Sequence, residues 1–140
     1  MAEINNIQNE IIDEFAFFGD WMEKYEYIID LGKSLPLIDE QYKDEDHLIK
    51  GCQSQVWLHA DEEEGKVKFT ADSDAVITKG IIALLIRVLS GQKAEDIAKS
   101  DLYFIDKIGL KEHLSPTRSN GLVSMVKQMK MYGLALNAKS

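Results

Sequence analysis

The chain contains a single cysteine, Cys52, and its thiol is the most distinctive reactive group in the sequence. It lies in the segment Gly51-Cys52-Gln53-Ser54-Gln55-Val56-Trp57-Leu58. A preceding glycine, following polar residues and an apolar run that begins only at Val56 are typical of a loop that leads into a strand, where a thiol is presented rather than packed. A lone cysteine cannot form an intramolecular disulfide or hold an iron–sulfur cluster by itself, since clusters take about four thiolates. The structural alternative is a small, inert core cysteine.

An exposed thiolate has two kinds of target. It could attack a carbonyl carbon with a histidine as base, as in a cysteine-dependent hydrolase, or serve as a thiol peroxidase. His47, five residues upstream, is the nearest candidate base, but the sequence shows no group that would orient it. The thiolate could instead attack a sulfur atom, a reaction that needs little beyond access and a docking surface. Its product would be a persulfide, a reversible modification of cysteine. A third alternative is a module that activates a partner by binding alone.

The sequence predicts no metal site. Its histidines, His47, His59 and His113, share no ligand spacing, and one cysteine adds little. The acidic run in Asp61-Glu62-Glu63-Glu64-Gly65 could suggest a cation site, but adjacent carboxylates have no cage geometry of their own. We interpret this run as a solvated hairpin tip. No glycine-rich dinucleotide or phosphate-binding motif occurs.

Composition narrows the class of protein. A length of 140 residues predicts a single domain, residues 1–140, with ordinary hydrophobic (45%) and charged (29%) content. A net charge of −8 and a pI of about 4.8 argue against nucleic-acid binding, which needs clustered lysine and arginine. The first residues do not resemble a signal peptide, and the longest apolar run, 80–86, is far shorter than the ~20 residues of a membrane span. We therefore expect no membrane partner and a free thiol in the cytoplasm.

Helices are predicted at both ends and in the middle of the chain. Apolar residues from Ile4 to Phe18 recur at helical spacing, and Asp20 can cap a second helix that ends at Gly32, so a helical hairpin is expected. Asp72-Ser73-Asp74 offers caps for a helix from about Ala75 to Leu89 that is apolar almost all round and therefore central. Short helices are predicted at 94–99 and 102–108. Ser115-Pro116 opens the last helix, whose methionine stripe is interpreted as core packing.

Between these helices the hydrophobic pattern changes to a period of two. Residues 55–60 and 66–71 alternate in polarity and predict an antiparallel hairpin, and 48–50 is a candidate for a third short strand. The charged residues 39–47 are interpreted as a solvated linker. The loop that carries Cys52 would therefore lie between this linker and the sheet.

Several segments together resemble the SufE family of sulfur-acceptor proteins, over most of the chain from about Phe15 onward. Any one would be weak, but their order and spacing are specific. The segments are Asp20-Trp21 with Tyr25, Leu35-Pro36, Gly51-Cys52-Gln53-Ser54-Gln55-Val56-Trp57-Leu58, Asp72-Ser73-Asp74-Ala75, Lys79-Gly80-Ile81-Ile82-Ala83 and Leu114-Ser115-Pro116-Thr117-Arg118-Ser119-Asn120-Gly121-Leu122.

The resemblance implies an α+β fold in which helices pack a small three-stranded antiparallel sheet, similar to scaffold proteins of the IscU type. It implies that Cys52 accepts persulfide sulfur from a cysteine desulfurase (SufS-like), stimulates that enzyme and delivers sulfur to an iron–sulfur scaffold complex (SufBCD-like). The pyridoxal phosphate would belong to the desulfurase, so no cofactor is expected in this chain. Such a protein is an accessory acceptor rather than a stand-alone enzyme, either a monomer or a homodimer.

The resemblance also marks residues around the thiol. Asp74 matches an acidic residue close to the active-site loop, although a helix cap is the alternative interpretation. Arg118 could stabilise the thiolate, dock the partner, or tie two elements together through its several donors. Gly51, Gln53 and Ser54 are expected to set the geometry of the loop. Because the thiol must reach into a partner's active site, the loop is expected to move, and amides 50–55 should exchange faster than those of the helix over 75–89.

Overall fold

The structure is a computed structural model that describes residues 2–52 and 54–139. The elements, in chain order, are α1 (Ala2–Ala16), α2 (Trp21–Gly32), β1 (Val56–Glu63), β2 (Lys66–Ser73), α3 (Val76–Leu89), β3 (Gln92–Lys93), α4 (Ala94–Lys99), α5 (Phe104–Lys107), α6 (Leu110–His113) and α7 (Pro116–Lys139). Two 3-10 turns, Glu40–Tyr42 and Glu45–His47, lie between α2 and β1. The α+β class predicted from the sequence is confirmed.

The apolar helix α3 lies at the centre of the fold, as predicted. Ile82, Leu85 and Leu89 are fully buried, and α2, α7 and the sheet all pack against this helix. The approach of α2 is especially close, because a Cβ at Gly80 would lie only 2.0 Å from the carbonyl oxygen of Ile28. A side chain at position 80 would therefore force the two helices apart.

The second helix has the predicted bounds, and the first ends at Ala16 rather than Phe18, but the two helices are arranged differently from the prediction. Asp20 caps α2 by accepting a hydrogen bond from the Glu23 amide at 2.9 Å, as expected. Instead of forming a simple hairpin, α2 packs along α3, while α1 packs against α3 and α5. The two helices meet where the ring of Tyr27 contacts those of Phe15 and Phe18. The large central surface of α3 explains the difference, since it can bury both helices at once.

The hairpin is confirmed, but the third strand is not the one expected. β1 and β2 pair antiparallel from Val56 opposite Ser73 to Glu63 opposite Lys66. The third strand is β3, which pairs with β2. The candidate strand at 48–50 instead makes one isolated antiparallel bridge, from Leu48 to Trp57, beside β1. A two-residue strand such as β3 is too short to show any alternation in its sequence.

Residues 39–47 were interpreted as a solvated linker; the segment is indeed mostly exposed, but it is structured rather than a plain linker. The segment forms the two 3-10 turns, capped by the side chains of Asp39 and Asp44. Tyr42 stacks on His59 of β1, with ring centroids 3.8 Å apart. Lys43 forms an ion pair with Asp72 of β2. The charge of the segment therefore fixes it to the sheet just ahead of the cysteine loop.

Candidate functional site

Cys52 lies on the loop between the second 3-10 turn and β1, where its thiol is half-buried against the first turns of α7. The Sγ atom donates a weak hydrogen bond to the carbonyl oxygen of Gly121 at 3.6 Å. The thiol faces a hollow of about 10 Å³, which is scarcely room for one water molecule. The hollow is lined by Cys52, Ser54, Thr78, Ile81, Thr117, Arg118, Gly121 and Met125. It has no room for a second reactant beside the thiol.

Burial raises the pKa of the Cys52 thiol. The thiol is therefore protonated in this conformation near neutral pH, and it is the thiolate that acts as a nucleophile. Sulfur exchange at Cys52 thus requires the loop to leave the hollow, or a partner to supply positive charge.

The entry to the loop is fixed by Gly51 against α7. Gly51 has a φ of 92°, a left-handed conformation that favours glycine. A Cβ at this position would also lie 2.5 Å from the hydroxyl oxygen of Ser124. Gly51 therefore lets the chain turn sharply in contact with α7, one residue before the thiol. Gln53, another predicted site residue, lies outside the described residues.

The exit from the loop is fixed by hydrogen bonds to the end of β2 and to α3. Asp74 accepts a hydrogen bond from the amide of Gln55 at 3.0 Å, and Ser73 donates its hydroxyl hydrogen bond to the carbonyl of Gln55 at 2.7 Å. The hydroxyl of Ser54 lies 3.3 Å from that of Thr78 on α3. Gln55 is thus held from both sides.

Asp74 is not the cap of α3, which corrects that alternative. The residue before α3 is Ala75, and no side chain caps this helix. The carboxylate of Asp74 points across to the cysteine loop and pairs with the amide of Gln55 instead. The cap alternative rested on the position of Asp74 just before the helix, whereas the pairing of β1 with β2 brings residue 55 within reach of it.

Arg118 lies in the wall of the hollow and joins two helices. It is half-buried in the first turn of α7, and its amide donates a hydrogen bond to the hydroxyl of Ser115, the residue before the helix, at 3.3 Å. Its Nη1 atom donates a hydrogen bond to the hydroxyl of Tyr25 on α2 at 2.9 Å. The guanidinium therefore ties α7 to α2 while it lines the space in front of the thiol.

A carboxylate on β2 connects the segment before the cysteine loop to α3. Asp72, 14% exposed, lies 2.6 Å from Nζ of Lys43 and 3.2 Å from Nζ of Lys79 on α3. Burial raises the pKa of Asp72, but hydrogen bonds from Lys43, the Ser73 amide and Lys79 outweigh burial and lower it overall. This carboxylate holds the segment before the loop and the first turn of α3 to the same point of β2.

The three histidines contact residues that do not line the hollow at Cys52. Nδ1 of His47 lies 2.7 Å from Asp44 and its ring contacts His59, while His113 stacks on Trp21. The described residues that line the hollow include no histidine. No group of three or more metal-ligating side chains occurs in residues 2–52 and 54–139. The hollow therefore offers no general base for carbonyl chemistry, which disfavours the hydrolase alternative.

Residues that sequence reasoning gave no role complete the site. Thr78 holds Ser54, Ser124 meets Gly51, Tyr25 holds Arg118, and Gly121 accepts the thiol hydrogen bond. Tyr25 and Gly121 belong to the segments that resemble the SufE family, and a glycine inside a helical pattern often marks a close approach of another segment. Thr78 and Ser124 are ordinary helix residues whose partners are distant in sequence.

The fold itself is found in a known structure. The solution structure of a hypothetical protein from Thermus thermophilus superimposes with a TM-score of 0.76, covering 92% of this chain and 94% of that one. At 21% identity this similarity concerns the fold alone.

Sequence comparison defines the family. The family model for the SufE domain, described as an Fe-S metabolism associated domain, matches residues 9–133. The chain therefore belongs to the SufE family and has a role in Fe–S metabolism, as the sequence motifs predicted.

Individual relatives agree with this assignment. An uncharacterized SufE-like protein of Rhizobium meliloti is 43% identical over 127 residues, which cover 87% of this chain and 91% of the relative. The SufE-like protein 1, chloroplastic/mitochondrial, of Arabidopsis thaliana is 40% identical over 131 residues, which cover 93% of this chain but 35% of the plant protein. None of the helices in the described part of the chain could span a membrane. The cytoplasmic location stays a prediction.

Proposed function

We propose that the protein accepts persulfide sulfur on Cys52 from a partner cysteine desulfurase, stimulates that enzyme and delivers the sulfur for iron–sulfur cluster assembly. The observation that carries the proposal is the position of the chain's sole thiol. Cys52 is shielded in a fitted hollow, on a loop pinned at Gly51 and Gln55, in a chain of the SufE family. A carrier must protect a persulfide from small thiols between partners, and such a loop can do so.

The transfer itself is a thiol exchange. The Cys52 thiolate attacks the terminal sulfur of the donor's cysteine persulfide, a new S–S bond forms at Cys52, and the donor's S–S bond breaks. The donor's cysteine leaves as a thiolate, and the proton lost by Cys52 passes to solvent or to that thiolate. No net oxidation occurs, because the sulfur arrives at the oxidation level in which it leaves. The hollow has no room for the donor, so we expect the loop to move when the donor binds.

The first test is the intact mass of the protein after incubation with free cysteine and the desulfurase of the same organism. We expect a gain of one sulfur atom that maps to Cys52 by peptide analysis and disappears on reduction. The desulfurase is shown to be active in parallel by its release of alanine. If the active desulfurase leaves the mass of this protein unchanged, the carrier function is wrong.

The Cys52→Ser variant separates the carrier from a module that only activates its partner. A serine cannot accept sulfur but nearly preserves the size of the side chain, so the fold should survive, as circular dichroism can verify. We expect this variant to lose both sulfur acceptance and stimulation of the desulfurase. Full stimulation by the serine variant would instead support activation by binding alone.

A further inference from the structure

The final helix is apolar on two opposite faces. Its inner face packs Leu122, Met125 and Met129 into the core. Its outer face nevertheless carries Val123, Met131 and Leu134, which are 50%, 51% and 58% exposed. With Lys127 these residues form a row at spacings of four, four and three, which we call the α7 ridge. A helix covered on one side only is expected to be polar on the other.

The charge of this helix differs from that of the rest of the chain. The protein has 24 acidic residues and a net charge of −8, but α7 contains Arg118, Lys127, Lys130 and Lys139 and no carboxylate side chain. Among the described residues, neither Lys127 nor Lys130 forms an ion pair within 4.0 Å. The ridge is thus a mainly apolar row that contains Lys127 and has Lys130 beside it, and neither lysine has an ion-pair partner among the described residues.

Two grooves run along the ridge. One, of about 570 Å³, separates α7 from residues 101–111, and its floor contains Leu102, Ile105, Leu122 and Val126. Asp101, Asp106 and Lys111 lie on the far wall of this groove. The other, of about 290 Å³, separates α7 from Leu48, Ile49 and Lys50. Lys127 and Met131 border both grooves, so the ridge can be approached by side chains on either flank.

The ridge begins beside the thiol. Ser124, the neighbour of Val123, is the residue that meets Gly51, and Gly51 precedes Cys52. From there to Leu134 the ridge extends for about 16 Å, the length of roughly three helical turns. A specific complex buries about 800 Å² on each partner, which is more than a loop of a few residues provides. A protein that engages Cys52 therefore needs an adjoining surface, and the ridge provides one.

We propose that the α7 ridge docks an amphipathic helix of the sulfur donor, with large apolar residues on one face and carboxylates on both flanks. This proposal rests on the proposed function, which requires a donor protein. Apolar residues of the helix would pack on Val123, Met131 and Leu134, and its carboxylates would meet Lys127 and Lys130. The donor would then bind helix α7 while the adjoining cysteine loop moves into the active site of the donor.

The preference of the α7 ridge for an acidic amphipathic helix is tested with a synthetic peptide of about 15 residues. The peptide has leucines at helical spacing and glutamates on both flanks, and it is added to isotope-labelled protein. We expect NMR amide shifts concentrated in α7 and residues 101–111. A matched peptide with lysine in place of glutamate should bind at least tenfold more weakly. No shifts in α7, or equal binding of both peptides, would overturn the proposal. So would vesicles containing phosphatidylglycerol that bind the ridge while the acidic peptide does not.

Charge reversal locates the site. We expect the double variant Lys127→Glu/Lys130→Glu to weaken binding of the acidic peptide at least tenfold. The control Lys33→Glu/Lys66→Glu makes the same change in net charge at exposed lysines of α2's C-cap and the hairpin. It should bind normally. In the same way, Met131→Glu should lose binding, while Leu37→Glu, at another exposed apolar residue, should keep it. Equal losses in variants and controls would mean that net charge alone drives binding.

The same double variant is then tested with the desulfurase. We expect its affinity for the desulfurase to fall at least tenfold while alkylation of Cys52 by iodoacetamide is unchanged. If the desulfurase loads wild type and variant alike and binds both equally, the ridge is not the donor's docking site, and the proposed function still stands. If the desulfurase transfers sulfur to neither protein, the proposed function is wrong. The peptide titration then tests by itself whether the α7 ridge binds an acidic amphipathic helix.

Discussion

Gly121 lies directly against Cys52: a Cβ at position 121 would be 3.5 Å from the Sγ atom, which donates its hydrogen bond to the carbonyl of Gly121 itself. That spacing leaves room for one methyl group and no more. Because Gly121 has no side chain, the Cys52 thiol can pack directly against the backbone of α7, and this packing shields it from solvent. The size of residue 121 should control how often the loop leaves its hollow.

Replacing Gly121 by leucine should expel the cysteine loop. The added side chain cannot fit beneath Cys52, and overpacking typically costs about 1–3 kcal/mol, which corresponds to about a five- to 150-fold shift in an opening equilibrium. We expect Cys52 to be alkylated by iodoacetamide faster by that factor. Thermal unfolding should change little, because the loop can move out without disturbing the core.

Gly121→Ala is the matched control. Its methyl group would make an ordinary van der Waals contact with Cys52, and alanine favours a helix interior over glycine by about 1 kcal/mol. We expect alkylation at the wild-type rate and slightly higher stability. Rapid alkylation of the alanine variant would show that packing at Gly121 does not hold the loop.

Asp74→Ala should loosen the exit of the loop. It removes the acceptor for the Gln55 amide, and such a hydrogen bond contributes about 0.5–1.5 kcal/mol. Amide exchange at Gln55 should therefore be about two- to tenfold faster. Asp74→Asn keeps an acceptor oxygen and should stay close to wild type. In all three proteins amides 50–55 should exchange faster than those of α3, and equal, strong protection in both regions would contradict a mobile loop.

The pH dependence of Cys52 alkylation should report its burial. Because burial raises the thiol pKa, the rate should rise with a midpoint above the ordinary cysteine value of about 8.5. A raised pKa in the folded state also means that this group stabilises the fold below its unfolded pKa and that the contribution is lost as pH rises through the folded pKa. In Gly121→Leu the midpoint should return toward 8.5. A wild-type midpoint below 8.5 would show that the thiolate is stabilised rather than desolvated.

Local signals in the sequence were sufficient for much of the fold. Asp20 and Ser115-Pro116 mark helix starts because caps satisfy free amides within one turn, and alternation over residues 55–71 marks a hairpin because a strand's faces differ. Asp74 shows the limit of such signals. Its position suits a cap, yet its partner is Gln55, which only the pairing of β1 with β2 brings near.

The candidate site, like the fold, could be predicted only where local sequence signals were sufficient. The reactive residue could be identified because Cys52 is the sole thiol and its neighbours favour a loop. Its environment could not, because Gly121 lies 69 residues away in sequence and Tyr25 and Arg118 are 93 residues apart. Contacts of that kind depend on how whole helices pack, and residue types within a window do not encode them.

The ion pair between Glu14 and Arg87 predicts how stability depends on pH. Arg87 donates from both terminal nitrogens to the Glu14 carboxylate, one at 2.8 Å, and Tyr27 donates to the same carboxylate. The hydrogen bond from Arg87 lowers the pKa of Glu14, burial opposes it, and the bond from Tyr27 lowers it further. The folded pKa of Glu14 therefore lies below its unfolded value of about 4.3.

A lowered carboxylate pKa stabilises the fold above the unfolded pKa, and this contribution is lost as pH falls through the folded pKa. We expect Glu14→Gln to lower the free energy of unfolding at pH 7 by on the order of 1 kcal/mol, a modest value because both side chains are about a third exposed and screened by solvent. Urea unfolding should show this difference shrinking from pH 5 toward pH 3. Glu95→Gln, at the exposed pair with Lys99, should change stability little at any pH. A Glu14→Gln deficit that stays constant down to pH 3 would mean that shape, not charge, holds α1 against α3.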